Sequence, residues 1–303
     1  MKRFLTLIAL AVLFAGCVQQ APQAKYVFYF IGDGMGLAQV SLTEAWLADK
    51  DGRIGSEPLS FSQFPVLGTA TTYSASNIIT CSSAAGTALA TGEKTTNNML
   101  GMSPDTLPLQ AITYKIKEAG FKVGVTSTVT LDHATPAAFY ANAPSRSNYY
   151  DIALQLPQTG FDFFGGGGFI QPEGKDKDQP SVIPLIEEAG YTIAYGMEDF
   201  ETLRQAEKMI LLQEKDRNYL EAVPFAIDRD EGDMTQADIL QAAIAFLDND
   251  KGFFLMSEGG RIDWACHAND GLTTILETID FDLAVQIAVA FAEKHPNETL
   301  IVV

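Results

Sequence analysis

The chain has 303 residues, 47% of them hydrophobic and 19% charged, with a net charge of −18. That length and apolar content support a core of domain size and exclude a disordered chain. The acidic balance excludes a surface built to hold a nucleic-acid backbone, which requires clustered lysine and arginine, so a small anionic ligand would need a metal or a placed arginine.

In chain order, Met1-Lys2-Arg3 and the apolar run 4–14 have the charged start and short hydrophobic stretch of an export signal, too short to span a bilayer. Leu13-Phe14-Ala15-Gly16-Cys17 sets small residues before a cysteine, as at a bacterial lipoprotein cleavage site. Residues 1–17 are therefore expected to be a signal peptide, with Cys17 carrying a lipid that ties the protein to a membrane. Ordinary cleavage nearby would leave a soluble secreted or periplasmic protein, and either route exports the chain to the periplasm or cell envelope. Beyond Cys17 only Cys81 and Cys266 remain, so no disulfide framework is indicated.

After a polar tether at 18–25, the run 26–31 is aromatic and β-branched and ends in Gly32-Asp33-Gly34-Met35-Gly36, the pattern of a buried strand entering a glycine loop. Similar runs at 121–125, 209–212, 253–256 and 300–303 alternate with helical patterns such as 109–118 and 237–247. This alternation predicts an α/β fold: a mostly parallel central sheet with helices on both faces. Thr235-Gln236-Ala237-Asp238 reads as a capped helix start. The stretch 161–231, with its Gly165 to Gly168 run and weak periodicity, is expected to be an insertion or peripheral region.

Four segments carry chemistry. Gly32 to Gly36 lacks the spacing of a dinucleotide fingerprint and the lysine of a P-loop, and reads either as a plain turn or as a loop presenting Asp33 to a ligand crevice, where a carboxylate could bridge cations. Thr80-Cys81-Ser82-Ser83-Ala84-Ala85-Gly86-Thr87-Ala88 is a run of small residues entering a helix. It reads either as an N-cap in a tightly packed helix or as a phosphate cradle whose serine is a nucleophile. Asp132-His133-Ala134-Thr135-Pro136 is followed by Arg146, a residue of ordinary surfaces that also offers a planar fork for two phosphate oxygens. The most specific segment, 253–269, delivers Glu258 on a strand and then Asp263 and His267 at a spacing of four, an O/N set suited to zinc with a harder cation nearby.

Taken in order, these motifs resemble the alkaline phosphatase family over nearly all of 26–303. The resemblance implies hydrolysis of small phosphomonoesters at a site with two Zn2+ and one Mg2+, and a homodimer is among its expectations. It implies that Ser82 is the serine phosphorylated in a covalent intermediate, with Ser83 the lesser candidate, and that Arg146 holds the phosphoryl oxygens. Asp33 would bridge the second zinc and the magnesium, Thr135 and Glu258 would bind magnesium, and Asp263 and His267 the first zinc. His133 and Trp264 occupy two variable positions beside the metals. Cys81 stands where some members have an aspartate that supports the arginine, and His133 where others have aspartate. Family members follow a strand like 299–303 with an Asp-His pair for the second zinc and a later zinc histidine; His295 fits neither role, so the domain at 26–303 is expected to be incomplete. Two other readings stay open on the residues alone: a phosphodiesterase or sulfatase on the same scaffold, and an inactive surface lipoprotein that binds phosphate or a partner.

Overall fold

Strands form where the short apolar runs were expected, because aromatic and β-branched side chains suit a pleated surface covered on both sides. A computed structural model describes residues 24–213 and 222–303. The expected signal peptide, Cys17 and most of the tether lie outside the described residues. The strands are β1 (Tyr26–Gly32), β2 (Lys122–Ser127), β3 (Phe163–Gly166), β4 (Tyr191–Tyr195), β5 (Lys208–Leu212), β6 (Phe253–Gly259) and β7 (Thr299–Val302). They make one sheet in the order β4-β5-β3-β2-β6-β1-β7, and every pairing is parallel.

The helices among the described residues are α1 (Leu37–Lys50), α2 (Ser82–Thr91), α3 (Ile112–Glu118), α4 (Ala134–Ala138), α5 (Tyr149–Ala153), α6 (Val182–Glu188), α7 (Gly196–Leu203), α8 (Gln236–Leu247), α9 (Arg261–His267) and α10 (Gly271–Lys294). Alternate strand residues feed two cores, one on each face. Val123, Val125, Phe254 and Met256 pack with residues of α2, α4 and α6. Phe28, Phe30, Phe253 and Leu255 pack with α8 and α10. The capped start at Thr235 is present: its hydroxyl accepts from Asp238 N at 3.0 Å, while Thr235 N donates to the Asp238 carboxylate at 2.9 Å. The pattern 109–118 becomes helical only at Ile112, because Leu109 N is engaged by Gly101 O at 2.8 Å.

The stretch 161–231 supplies β3, β4 and β5, which make up one end of the sheet. Phe163 and Phe164 are fully buried there, so this stretch belongs to the core as well as to the margin. Its periodicity is weak because half of β3 is glycine. A Cβ on Gly166 would meet Ser127 O at 2.7 Å, so the close approach of β3 to the end of β2 requires the missing side chain.

Candidate active site

The parallel sheet delivers its chemistry at the carboxyl ends of the central strands. Glu258 on β6 is in register with Ile31 of β1 on one side and Ser127 of β2 on the other, and Asp33 follows directly on β1. This is the edge at which open α/β sheets present their loops to ligands.

Ser82 opens α2, with Cys81 as its N-cap and Gly92 closing the helix in the left-handed conformation (φ +80°). The small residues let this helix lie close to α4: a Cβ on Gly86 would stand 3.1 Å from Ala138 Cβ and 3.5 Å from Thr135 Cα. The packing carries Ser82 to Asp33, and the serine Oγ donates to Asp33 Oδ2 at 2.9 Å. Ser83 points elsewhere. It is fully buried with its Oγ 3.1 Å from Cys81 Sγ, so Ser82 is the accessible hydroxyl of the pair.

Asn98, which the sequence reading missed, links the helix to the arginine. Its backbone N donates to Cys81 Sγ at 3.1 Å and its carbonyl accepts from Arg146 N at 2.7 Å. The Arg146 guanidinium then meets His133, with Nη2 3.3 Å from Nε2. Burial, and secondarily the charge of Arg146, push the His133 imidazole down to about 4, so it is neutral at physiological pH. Trp264 meets His133 edge to face at 5.7 Å.

On the carboxylate side, Glu258 is fully buried and held above the ordinary glutamate range, first by burial and then by the charge of Asp33. The hydroxyls of Ser127 and Thr135 offset part of this. Ser127, also missed by the sequence reading, donates to Glu258 Oε2, while Oε1 has no partner among the described residues. Asp33 is likewise raised, first by burial and then by Asp263, against which Ser82, Arg146 and the Gly34 backbone act. Gly34 brings the two aspartates together: its φ is +68°, and a Cβ there would lie 2.7 Å from Asp263 Oδ1. On α9, Asp263 Oδ2 lies 3.3 Å from Nε2 of the solvent-exposed His267.

The sequence-expected residues thus fall into one neighbourhood, tied by Ser82 to Asp33, Arg146 to His133, His133 to Trp264 and Thr135 to Glu258. Among the described residues no three His, Cys, Asp or Glu side chains close into one ligand cluster; the acids meet pairwise, Asp33 with Glu258 and Asp33 with Asp263. Buried like charges with an orphaned carboxylate oxygen are costly without a cation, so the donor set fits hard divalent ions beside an imidazole and carboxylates suited to zinc. The helix N-terminus at Ser82 and the fork of Arg146 are groups of the kind that suit phosphate oxygens.

The alkaline phosphatase family model matches residues 24–165 and 204–303. This chain belongs to the alkaline phosphatase family. It is 33% identical over 319 residues to alkaline phosphatase 3 of Bacillus subtilis (strain 168), covering 98% of this chain and 66% of that protein. To alkaline phosphatase 4 of the same strain it is 32% identical, covering 93% of this chain and 61% of the relative. The chain therefore spans somewhat under two thirds of the length of these family members. The fold superposes on the alkaline phosphatase of the Antarctic bacterium TAB5 with a TM-score of 0.82 at 33% identity, covering 93% of this chain and 78% of that one. A variant of that TAB5 protein has Mg bound in its M3 site. The Thermus thermophilus alkaline phosphatase superposes with a TM-score of 0.81 at 30% identity. The family match leaves out 166–203, which holds α6, β4 and α7 at the far end of the sheet from β1.

Proposed function

We propose that the protein hydrolyses small phosphate monoesters through a phosphoserine on Ser82. The observation that carries this reading is the 2.9 Å hydrogen bond from Ser82 Oγ to Asp33 at the start of a helix whose neighbouring loop holds Arg146. Arg146 and the first free N–H groups of α2 bind the phosphoryl oxygens and turn the phosphorus toward Ser82. Ser82 Oγ attacks phosphorus, the bond to the ester oxygen breaks and the alcohol leaves. Water then attacks the same phosphorus, the Oγ–P bond breaks, and inorganic phosphate departs with the serine hydroxyl restored. His133, neutral and buried, accepts from Arg146 and steadies the fork.

Asp33, Thr135 and Glu258 would hold Mg2+, Asp33 would also reach the second Zn2+, and Asp263 and His267 would supply part of the ligand set of the first. Bound there, these ions supply Lewis acidity that lowers the pKa of the serine hydroxyl and neutralises phosphoryl charge. Their role is supported by the orphaned Glu258 oxygen and the two raised carboxylates. Export is proposed from the N-terminal signal, with Cys17 as the lipid attachment; among the described residues no helix is long and apolar enough to cross a membrane.

The test is replacement of Ser82 by alanine in the full chain supplied with Zn2+ and Mg2+. Turnover of 4-nitrophenyl phosphate should fall by about four orders of magnitude or more, in line with loss of a nucleophile. Mass spectrometry of acid-quenched parent protein should find phosphate on Ser82. Turnover retained in Ser82→Ala, or phosphate found on another residue, refutes the assignment.

A further inference from the structure

Arg261 is a buried cation that packs on two aromatic rings; the charges of Glu277 and Asp228 act on it, but among the described residues neither carboxylate is hydrogen-bonded to it. It is 9% exposed, its Nε has no hydrogen-bond partner among the described residues, and its guanidinium carbon stands 3.5 Å from the Phe225 ring centroid and 4.9 Å from that of Trp264. A buried arginine that serves the fold alone is ordinarily matched by hydrogen-bonded carboxylates. Arg229 shows that arrangement nearby, with a two-pronged pair to Asp280 at 2.8 and 2.6 Å, although among the described residues its Nε too has no partner. Arg261 instead packs on the indole one turn further along its own helix.

The contact continues toward the site. Trp264 meets His133 at 5.7 Å with an interplanar angle of 70°. His133 is buried, its Nδ1 has no partner among the described residues, and its Nε2 is 3.3 Å from Arg146 Nη2. Apart from Arg146, no hydrogen bond to a described residue orients this imidazole ring, so its angle is set by packing, and Trp264 is the aromatic face against it. We propose that Arg261 is a positioning residue for Arg146, acting through Trp264 and His133. Phe225 and Arg261 fix the indole, the indole fixes the imidazole, and the imidazole accepts from the guanidinium that holds phosphate. The inference deepens the phosphatase reading and rests on the phosphate-holding role proposed for Arg146.

The test uses the full chain with Zn2+ and Mg2+, inorganic phosphate as the probe and calorimetric titration as the readout. A cation on an aromatic face shifts an equilibrium enough that Arg261→Met should weaken phosphate binding by about three- to tenfold, and Arg261→Lys, which keeps the cation, should recover most of the loss. In a His133→Ala background the same Arg261→Met change should alter binding by less than about twofold, because contacts that act in series are not additive. In a Trp46→Phe background Trp264 is the sole tryptophan, and its emission should shift in Arg261→Met and stay close to the parent in Arg261→Lys. If Arg261→Met does not fold, Trp264→Leu tests the same link and should show the same loss of phosphate binding. Equal losses with and without His133, or no loss in any variant, overturn the relay while leaving the phosphatase reading standing. A parent that binds no phosphate, indistinguishable from Arg146→Ala, overturns both.

Discussion

Two buried acidic regions flank α9, and they are neutralised in different ways. Behind the helix, Asp280 is 4% exposed and receives both prongs of Arg229 as well as Gln236 N at 3.2 Å. At the sheet edge, Glu258 is fully buried and, among the described residues, receives hydroxyls only and leaves one oxygen without a partner. The protein supplies a directly paired counter-charge in the first region, whereas in the second the charge of Arg146 acts without pairing to Glu258 and is outweighed by burial. A buried carboxylate matched by an arginine belongs to the fold, whereas one matched only by hydroxyls marks a place where a cation from solution completes the charge balance.

The sharpest way to break the comparison is to remove the counter-charge that the chain provides. Arg229→Met leaves Asp280 buried with, among the described residues, a single backbone donor, and unfolding in urea should show a loss of about 3–5 kcal/mol, the cost of orphaning one partner of a buried pair. A loss below about 1 kcal/mol would mean that water screens the pair as it does surface pairs.

The opposite sign is expected at the sheet edge. Glu258→Gln removes an acid whose ionised form the metal-free fold opposes, so the metal-free variant should be more stable than the parent at neutral pH by about 1–3 kcal/mol. Added Mg2+ and Zn2+ should raise the Tm of the parent far more than that of the variant, since a ligand stabilises only a state that binds it. A variant less stable than the parent without metal would mean that the glutamate is part of the fold in the same sense as Asp280.

The sequence shows this contrast only on one side. Asp33, Ser82, Glu258, Asp263 and His267 are legible because each follows a strand-like run or sits in a short motif, and β1, β6, the start of α2 and the Thr235 cap follow from local pattern. The second region is formed by residues remote from one another in sequence: Arg229 and Asp280 are 51 positions apart, and nothing local to either announces the other. The same holds for Ser127, in register with Glu258 across 131 positions, and for the stack of Arg261 on Phe225. Strand β3 was hidden because two of its four residues are glycines, which weaken a strand pattern while serving a close approach to Ser127 and Val129. Pairwise geometry across a parallel sheet comes from register, and register is a tertiary property.

Glu277 lies between the two cases and gives the finest test. Its Oε1 accepts from Ala226 N at 2.6 Å, and the charges of Arg229 and Arg261 favour its anion, yet burial outweighs them and pushes the carboxyl up to about 7 from its ordinary 4.5. With the folded value above the unfolded one, the native state keeps a proton that the unfolded chain releases between those two pH values. The unfolded state therefore binds fewer protons in that window, and the contribution of this group to stability falls as pH rises from about 4.5 to 7 and is level above it. Glu277→Gln keeps the acceptor for Ala226 N and cannot titrate. Unfolding free energies from urea titrations at pH 4 and upward should coincide for the two proteins at the acid end and separate by about 1–2 kcal/mol in favour of the variant near neutrality. If the parent is instead the more stable protein near neutrality, the two arginines outweigh burial, and Glu277 joins Asp280 as an acid whose counter-charge the chain already holds.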